Sequence, residues 1–137
     1  MALHLEIITP EGKVYSESSD SVFIPTTEGE IDVLPGHIPL VTLVEPGELR
    51  SERQGQVEHL AVDKGFVQVL GDKVSVLTEQ AINVEEIDLN AIEEARVRAE
   101  NALREAREKG EDPAVVEEAE TILRFTMAQR LAKERRR

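Results

Sequence analysis

A chain of 137 residues with no cysteine, no tryptophan and 3% aromatic side chains fits one ordinary domain, or a small domain with an appendage, with a Val/Ile/Leu/Ala core. The absence of cysteine excludes a disulfide framework, a thiolate metal site and a cysteine nucleophile, and it fits a reducing compartment. A formal net charge of -12 argues against a general nucleic-acid binder.

The opening MALHLEIITPEGK has no basic start followed by an apolar run, so no secretory signal is expected. No stretch approaches the roughly 20 apolar residues needed to cross a bilayer, and the protein is expected to be soluble or at most peripheral. Leu3, Leu5 and Ile7 alternate with His4 and Glu6, which is the period of a half-buried strand. Short β-branched runs follow at Val14, Val22 to Ile24, Val57 to Val62, Phe66 to Leu70 and Val74 to Leu77. Turn chemistry bounds them at Pro10-Glu11-Gly12, Glu28-Gly29, Gln54-Gly55, Asp63-Lys64-Gly65 and Gly71-Asp72. Between them, from Gly29 to Arg50, runs GEIDVLPGHIPLVTLVEPGELR. It sets apolar strand residues around a Leu34-Pro35-Gly36-His37 turn, then Pro39, then a Glu45-Pro46-Gly47 turn. Two rigid corners so close together predict a tightly folded β-module. The whole pattern predicts a two-sheet β-sandwich, or flattened barrel, over residues 1–86.

From Asp88 the period changes. Leu89, Ile92, Ala95, Ala99, Ala102, Leu103 and Ala106 fall three or four apart, an apolar helical stripe. Asp88 is placed to cap the helix start, and Gly110 to end it in the left-handed conformation. Pro113 suits the first position of a second helix. That helix carries Val116, Ala119, Leu123, Met127 and Leu131 on one face, with Ile122, Phe125 and Ala128 widening it. The expectation is an antiparallel hairpin over residues 87–137, with helices at about 88–109 and 113–134. The alanines permit close approach but bury little area. At about 25 cal/mol per Å² the contact is weak, so the hairpin can open at modest cost. The widened face of the second helix points to a partner beyond its hairpin mate.

Charge is uneven along the chain. Residues 1–87 hold 16 acidic and 5 basic side chains, and residues 110–123 five acids and no base. Residues 124–137 reverse the sign, with Arg124, Arg130, Lys133, Arg135, Arg136 and Arg137 against Glu134. That basic end fits an acidic protein surface, or a solvated terminus. No phosphate-binding glycine loop, dinucleotide fingerprint or HExxH zinc motif is present. His4, His37 and His59 lie on separate strands or turns without ligand spacing, so no metal and no cofactor is expected. Glu85-Glu86, Glu93-Glu94 and Glu117-Glu118 are adjacent pairs, and neighbours on a helix do not face one another. A solvated helix face explains them, and no catalytic residue is expected.

In order along the chain stand ITPEGKVY, GEIDVLPGHIPL, PGELR, DKGFVQV, TEQA, an Ile87-Asp88 helix start, ARVRAENAL and AETILR. Together they resemble the epsilon-subunit family of the F-type ATP synthase of bacteria and chloroplasts over essentially the whole chain. LPGHIPL in this setting is highly specific, whereas the helices alone would be weak. The resemblance implies a β-sandwich followed by a helical hairpin, and a non-catalytic place in the rotor, one copy per complex. It implies a soluble subunit when isolated, peripheral on the cytoplasmic face of the bacterial membrane and without insertion. Gly29, Glu30 and Ile31 match the region that faces the c-ring. Leu34, Pro35, Gly36, His37, Ile38, Pro39 and Leu40 match the region against the gamma subunit. The family's helices also switch to an extended form that slows ATP hydrolysis. Arg124, Arg130 and Lys133, with the terminal arginines, then match residues that face an acidic segment of the catalytic beta subunits.

Some family members bind ATP through an Ile/Leu-Asp-x-x-Arg-Ala motif at the start of the first helix. Here Ile87 and Asp88 are present, but Ala91 stands at the motif's arginine and Ile92 at its alanine. Arg98 matches a second family arginine. With the planar phosphate donor missing, no nucleotide site is expected. Two other readings compete. One is a free-standing β-domain with a helical adaptor hairpin, a protein-interaction module that would not co-purify with gamma or c subunits. The other is a small hydrolase using Glu and His, which would need a convergent acid–base pair that the spacing does not supply.

Overall fold

Alternation of apolar and polar residues along the first two-thirds of the chain builds strands, and the three-to-four spacing after them builds helices. The computed structural model describes residues 2–37 and 39–135. Its strands are β1 (Leu3–Thr9), β2 (Gly12–Ser19), β3 (Ser21–Thr26), β4 (Gly29–Val33), β5 (Leu40–Val44), β6 (Gly47–Arg53), β7 (Gln56–Val62), β8 (Gly65–Leu70), β9 (Lys73–Thr78) and β10 (Ala81–Asn83). A 3-10 turn, Val84–Glu86, leads to α1 (Leu89–Glu108) and α2 (Pro113–Arg135). Ile38, Arg136 and Arg137, and the side chain of Arg135, lie outside the described part.

The strands form two layers, β4-β3-β6-β7-β10 and β5-β8-β9-β1-β2, joined where β3 meets both β5 and β6. β1 runs parallel to β9, and the other described pairings are antiparallel. Leu5, Ile7, Ile24, Leu49, Val67 and Val76 are fully buried between the layers. Burying an aliphatic side chain of this size is worth about 1.5–3 kcal/mol. The Ser19 and Ser51 hydroxyls bond each other across the layers, so these polar groups enter the interior with a partner.

Glu45-Pro46-Gly47 forms a corner, as expected, and it turns the chain without reversing it. Thr26 pairs with Val44 and Phe23 with Arg50, both antiparallel, so the chain keeps its direction along β3 while crossing from one layer to the other. The Glu45 N–H donates to the Pro25 carbonyl at 3.0 Å, which carries the bonding around the corner. Pro46 has no N–H to satisfy there. Gly47 leaves room for Pro25, since a Cβ on it would lie 3.0 Å from the Pro25 Cβ.

Asp88 caps α1, its carboxylate accepting from the Asn90 N–H at 2.9 Å. At the other end Gly110 adopts φ +63. The Gly110 and Glu111 N–H groups then donate to the Arg107 and Ala106 carbonyls, satisfying acceptors that a helix end leaves open. Asp112 opens α2 by accepting from the Ala114 N–H at 2.8 Å. The hairpin folds back on the sandwich through a second apolar cluster, in which Phe125 and Ala132 meet Ala61, Val84 and Ile87.

That cluster changes the expected helix faces. Ala102 is exposed on α1, and Met127 and Leu131, expected in the main stripe of α2, are 36% and 50% exposed. Phe125, expected only as a flanking residue, is the anchor. α2 lies between α1 and the β6–β7 surface, so its buried face answers to two neighbours at once.

Candidate interaction surfaces

Ser21–Thr26 and Gly29–Val33 form a tight hairpin with Thr27-Glu28 at its tip, Thr26 pairing with Gly29. The Thr26 hydroxyl donates to the Gly29 carbonyl and accepts from the Glu28 N–H. Ile31 sits opposite Ile24 and packs partly into the core, so its side chain is not fully free for a partner. Glu30 points outward, and its carboxylate accepts from Arg50 Nη2 at 2.8 Å. The Arg50 guanidinium lies 4.6 Å from the centre of the Phe23 ring.

Leu34 to His37 do form a turn, closed by the His37 N–H donating to the Leu34 carbonyl at 3.0 Å. Gly36 takes φ +86, a conformation open to glycine at the third position of a type II turn. Leu34 is exposed, Pro35 and His37 half-buried and Pro39 exposed, whereas Leu40 turns inward against the core. Ile38 is outside the described residues.

On the sheet that this turn leads into, a surface that loop chemistry does not reveal extends to the far end of β5. Leu43, Phe66, Leu77 and Ile8 are direct neighbours across β5, β8, β9 and β1, on the outward face of the sheet. Val41, Leu43 and Leu70 are 60% exposed or more, and Phe66 is 43% exposed. The sequence signal was present in LVTLV and FVQVL, which are apolar at both alternating parities. Strands of that kind are covered on both sides.

The basic residues of α2 are engaged within the chain. Arg124 reaches Glu45 of the corner at 3.5 Å, and Lys133 Nζ donates to the Glu85 carbonyl at 3.1 Å. Arg130 pairs with Glu134 at 3.1 Å and with Glu93 of α1 at 3.6 Å. Glu93 also bonds Arg96, which holds its carboxyl below the ordinary value. Arg107 pairs with Glu120 at 2.7 Å, tying the far end of the hairpin.

The expected nucleotide-motif residues do not converge. Ile87 is buried in the second cluster with Ile92 packed beside it, and Asp88 is used as the helix cap, while Arg98 is exposed on α1. Among the described residues, no group of three or more His, Asp or Glu side chains could hold a metal. His4 bonds Ser16. His59 does meet a carboxylate, Glu48, across β6 and β7. Spacing could not show that pair, because it depends on strand register. It is a mostly buried hydrogen-bonded pair on the sheet face.

A family model described as "ATP synthase, Delta/Epsilon chain, beta-sandwich domain" matches residues 2–84. The ATP synthase epsilon chain of Herpetosiphon aurantiacus is 40% identical over 136 residues, covering 99% of this chain and 98% of that one. The epsilon chain of Geobacter sulfurreducens is 38% identical over 133 residues and 96% of each chain. Among solved structures, a chain of the Euglena gracilis mitochondrial ATP synthase, determined with OSCP, F1 and c-ring, matches with a TM-score of 0.78 and 26% identity. That match covers 96% of this chain and 81% of the other. A chain of the Tetrahymena thermophila central stalk and c-ring shares the fold at a TM-score of 0.50 and 16% identity, over 63% of this chain and 69% of the other.

Proposed function

The chain belongs to the delta/epsilon-chain family of ATP synthase, and from that premise we propose that it is a non-catalytic central-stalk subunit of the rotor. The observation that carries the reading is the kinship with epsilon chains through both sandwich and hairpin. Residues 1–86 grip the rotor and residues 87–137 regulate it. No described helix is long and apolar enough to cross a membrane. The subunit sits peripherally at the cytoplasmic face of the bacterial membrane, held by its partners.

The gamma subunit takes the exposed apolar face of β5-β8-β9 together with the Leu34–Leu40 turn that leads into it. A contiguous apolar patch on so acidic a chain is best explained as a protein contact. The Gly29–Ile31 hairpin tip faces the c-ring. The braced turn and hairpin suit torque transfer, because a stiff contact loses little work to deformation.

Regulation lies in the hairpin. Arg124 and Lys133 tie the docked hairpin to the rest of the chain, and Arg130 ties α2 to α1. Extending the helices breaks these ties and turns all three towards an acidic surface on the beta subunits, Arg130 keeping its pair with Glu134 alone. ATP binding on the hairpin plays no part, since Ala91 offers no guanidinium and Ile87 and Ile92 are committed to packing. A chain ending at Glu86 should therefore still assemble with gamma and the c-ring, and the complex should hydrolyse ATP faster than one with the full chain. Equal hydrolysis rates would remove the regulatory role. Failure of the full chain to co-purify with gamma would favour a free-standing interaction module.

A further inference from the structure

The β3–β4 hairpin has a weak point. Among the described residues β4 pairs with β3 alone, so a single ladder holds this edge strand. An edge strand held by one ladder opens easily near its tip. One side chain compensates from outside. Arg50 belongs to β6, on the far side of β3, and Phe23 is its direct cross-strand neighbour. The Arg50 guanidinium lies over the Phe23 ring, 4.6 Å from its centre, and continues to Glu30 Oε1 at 2.8 Å. One residue thus ties β6, β3 and β4 together on their outward face. Its side chain is 29% exposed, so the contact is partly sheltered from water.

We propose that Arg50 is a positioning residue that braces the β3–β4 hairpin and holds the Gly29–Ile31 tip in its working shape for the c-ring, an inference that rests on the rotor function above. The brace needs a planar cation. A guanidinium can stack on a ring while its edge donates to a carboxylate, and a lysine ammonium cannot do both in that geometry. The Glu30 carboxylate is therefore an anchor for the tip rather than a free charge offered to the partner.

Amide hydrogen exchange on the full-length isolated chain tests the brace directly. Arg50→Leu should speed exchange across residues 29–32 by about fivefold while the β8 and β9 amides keep their wild-type rates. Arg50→Lys should fall between the two. Adding Glu30→Gln to Arg50→Leu should cost nothing further, because both changes cut one tie. A merely structural arginine would instead loosen β6 and β7 and give additive effects. In the reconstituted enzyme, Arg50→Leu should lower proton pumping per ATP hydrolysed by about twofold, with association to gamma unchanged. Wild-type exchange at 29–32 in Arg50→Leu would overturn the brace, whatever the hairpin touches. Fast exchange with full coupling would overturn its role toward the c-ring. Loss of the rotor reading itself would show separately, as failure of the wild-type chain to assemble with gamma and c subunits.

Discussion

Asp63, 6% exposed, accepts from the Lys64 N–H at 2.7 Å. Burial pushes its carboxyl above the ordinary value, while the Lys64 bond and the charges of Lys64 and Arg124 pull the other way. Glu6 is also nearly buried, but it lies between Lys13 at 2.5 Å and Lys73 at 3.4 Å. The bond to Lys13 holds its carboxyl below the ordinary value, against the effect of burial. The two residues therefore act on stability with opposite sign. The folded chain binds the Asp63 proton more tightly than the unfolded chain does, so ionised Asp63 carries a cost at neutral pH that fades as the pH falls. Ionised Glu6 contributes stability above the unfolded carboxylate pKa, and that is lost on acidification. Asp63→Asn should raise Tm at pH 7 by about 2 °C, with the gain shrinking towards pH 3. Glu6→Gln should lower Tm at pH 7, with the loss also shrinking towards pH 3. Melting curves at both pH values check the signs. The alternation around Glu6 read correctly as an outward position, but its burial did not. That burial depends on β1 lying parallel to β9, a pairing between distant segments that no local pattern encodes.

The helices show where local chemistry suffices. Asp88, Gly110 and Pro113 act where capping rules place them, because those rules concern backbone groups within one turn. The buried face of α2 was harder to read. Thr121 and Thr126 are both 5% exposed, and polar residues seldom signal a buried face. Each hydroxyl donates to the carbonyl four residues earlier, on Glu117 and Ile122, so neither needs water. The apolar stripe through Met127 and Leu131 was real, but the sandwich took the neighbouring face, through Phe125. Phe125→Ala should weaken hairpin docking by about 3 kcal/mol, whereas Leu131→Ala should stay within about 0.5 kcal/mol. Limited proteolysis separates them: cleavage within residues 88–135 should accelerate only for Phe125→Ala, with the sandwich fragment resistant in both. Equal cleavage rates would remove Phe125 as the anchor.

At the scale of the molecule, two layers can bury only their facing sides, so apolar residues at both parities of β5 and β8 leave a surplus on the outside. The LPGHIPL turn leads into β5 of this layer and was legible, because rigid turn chemistry is visible in sequence. The extent of the adjoining surface was not, since it is assembled by register from four strands. Phe66 stands in the middle of that row, between Leu43 and Leu77. Phe66→Glu should leave the free chain within about 0.5 kcal/mol of its stability, as expected for an exposed position. It should weaken association with gamma by about 2–3 kcal/mol, because a charge there loses its water in the bound state. Val57 offers a matched control, being also 43% exposed but on β7 of the other layer. Val57→Glu adds the same charge to an already acidic chain without touching the apolar row. Calorimetric titration of gamma with both variants then decides the matter. Equal losses would trace the effect to overall charge, and unchanged binding by Phe66→Glu would remove the β5-β8-β9 face as the gamma contact.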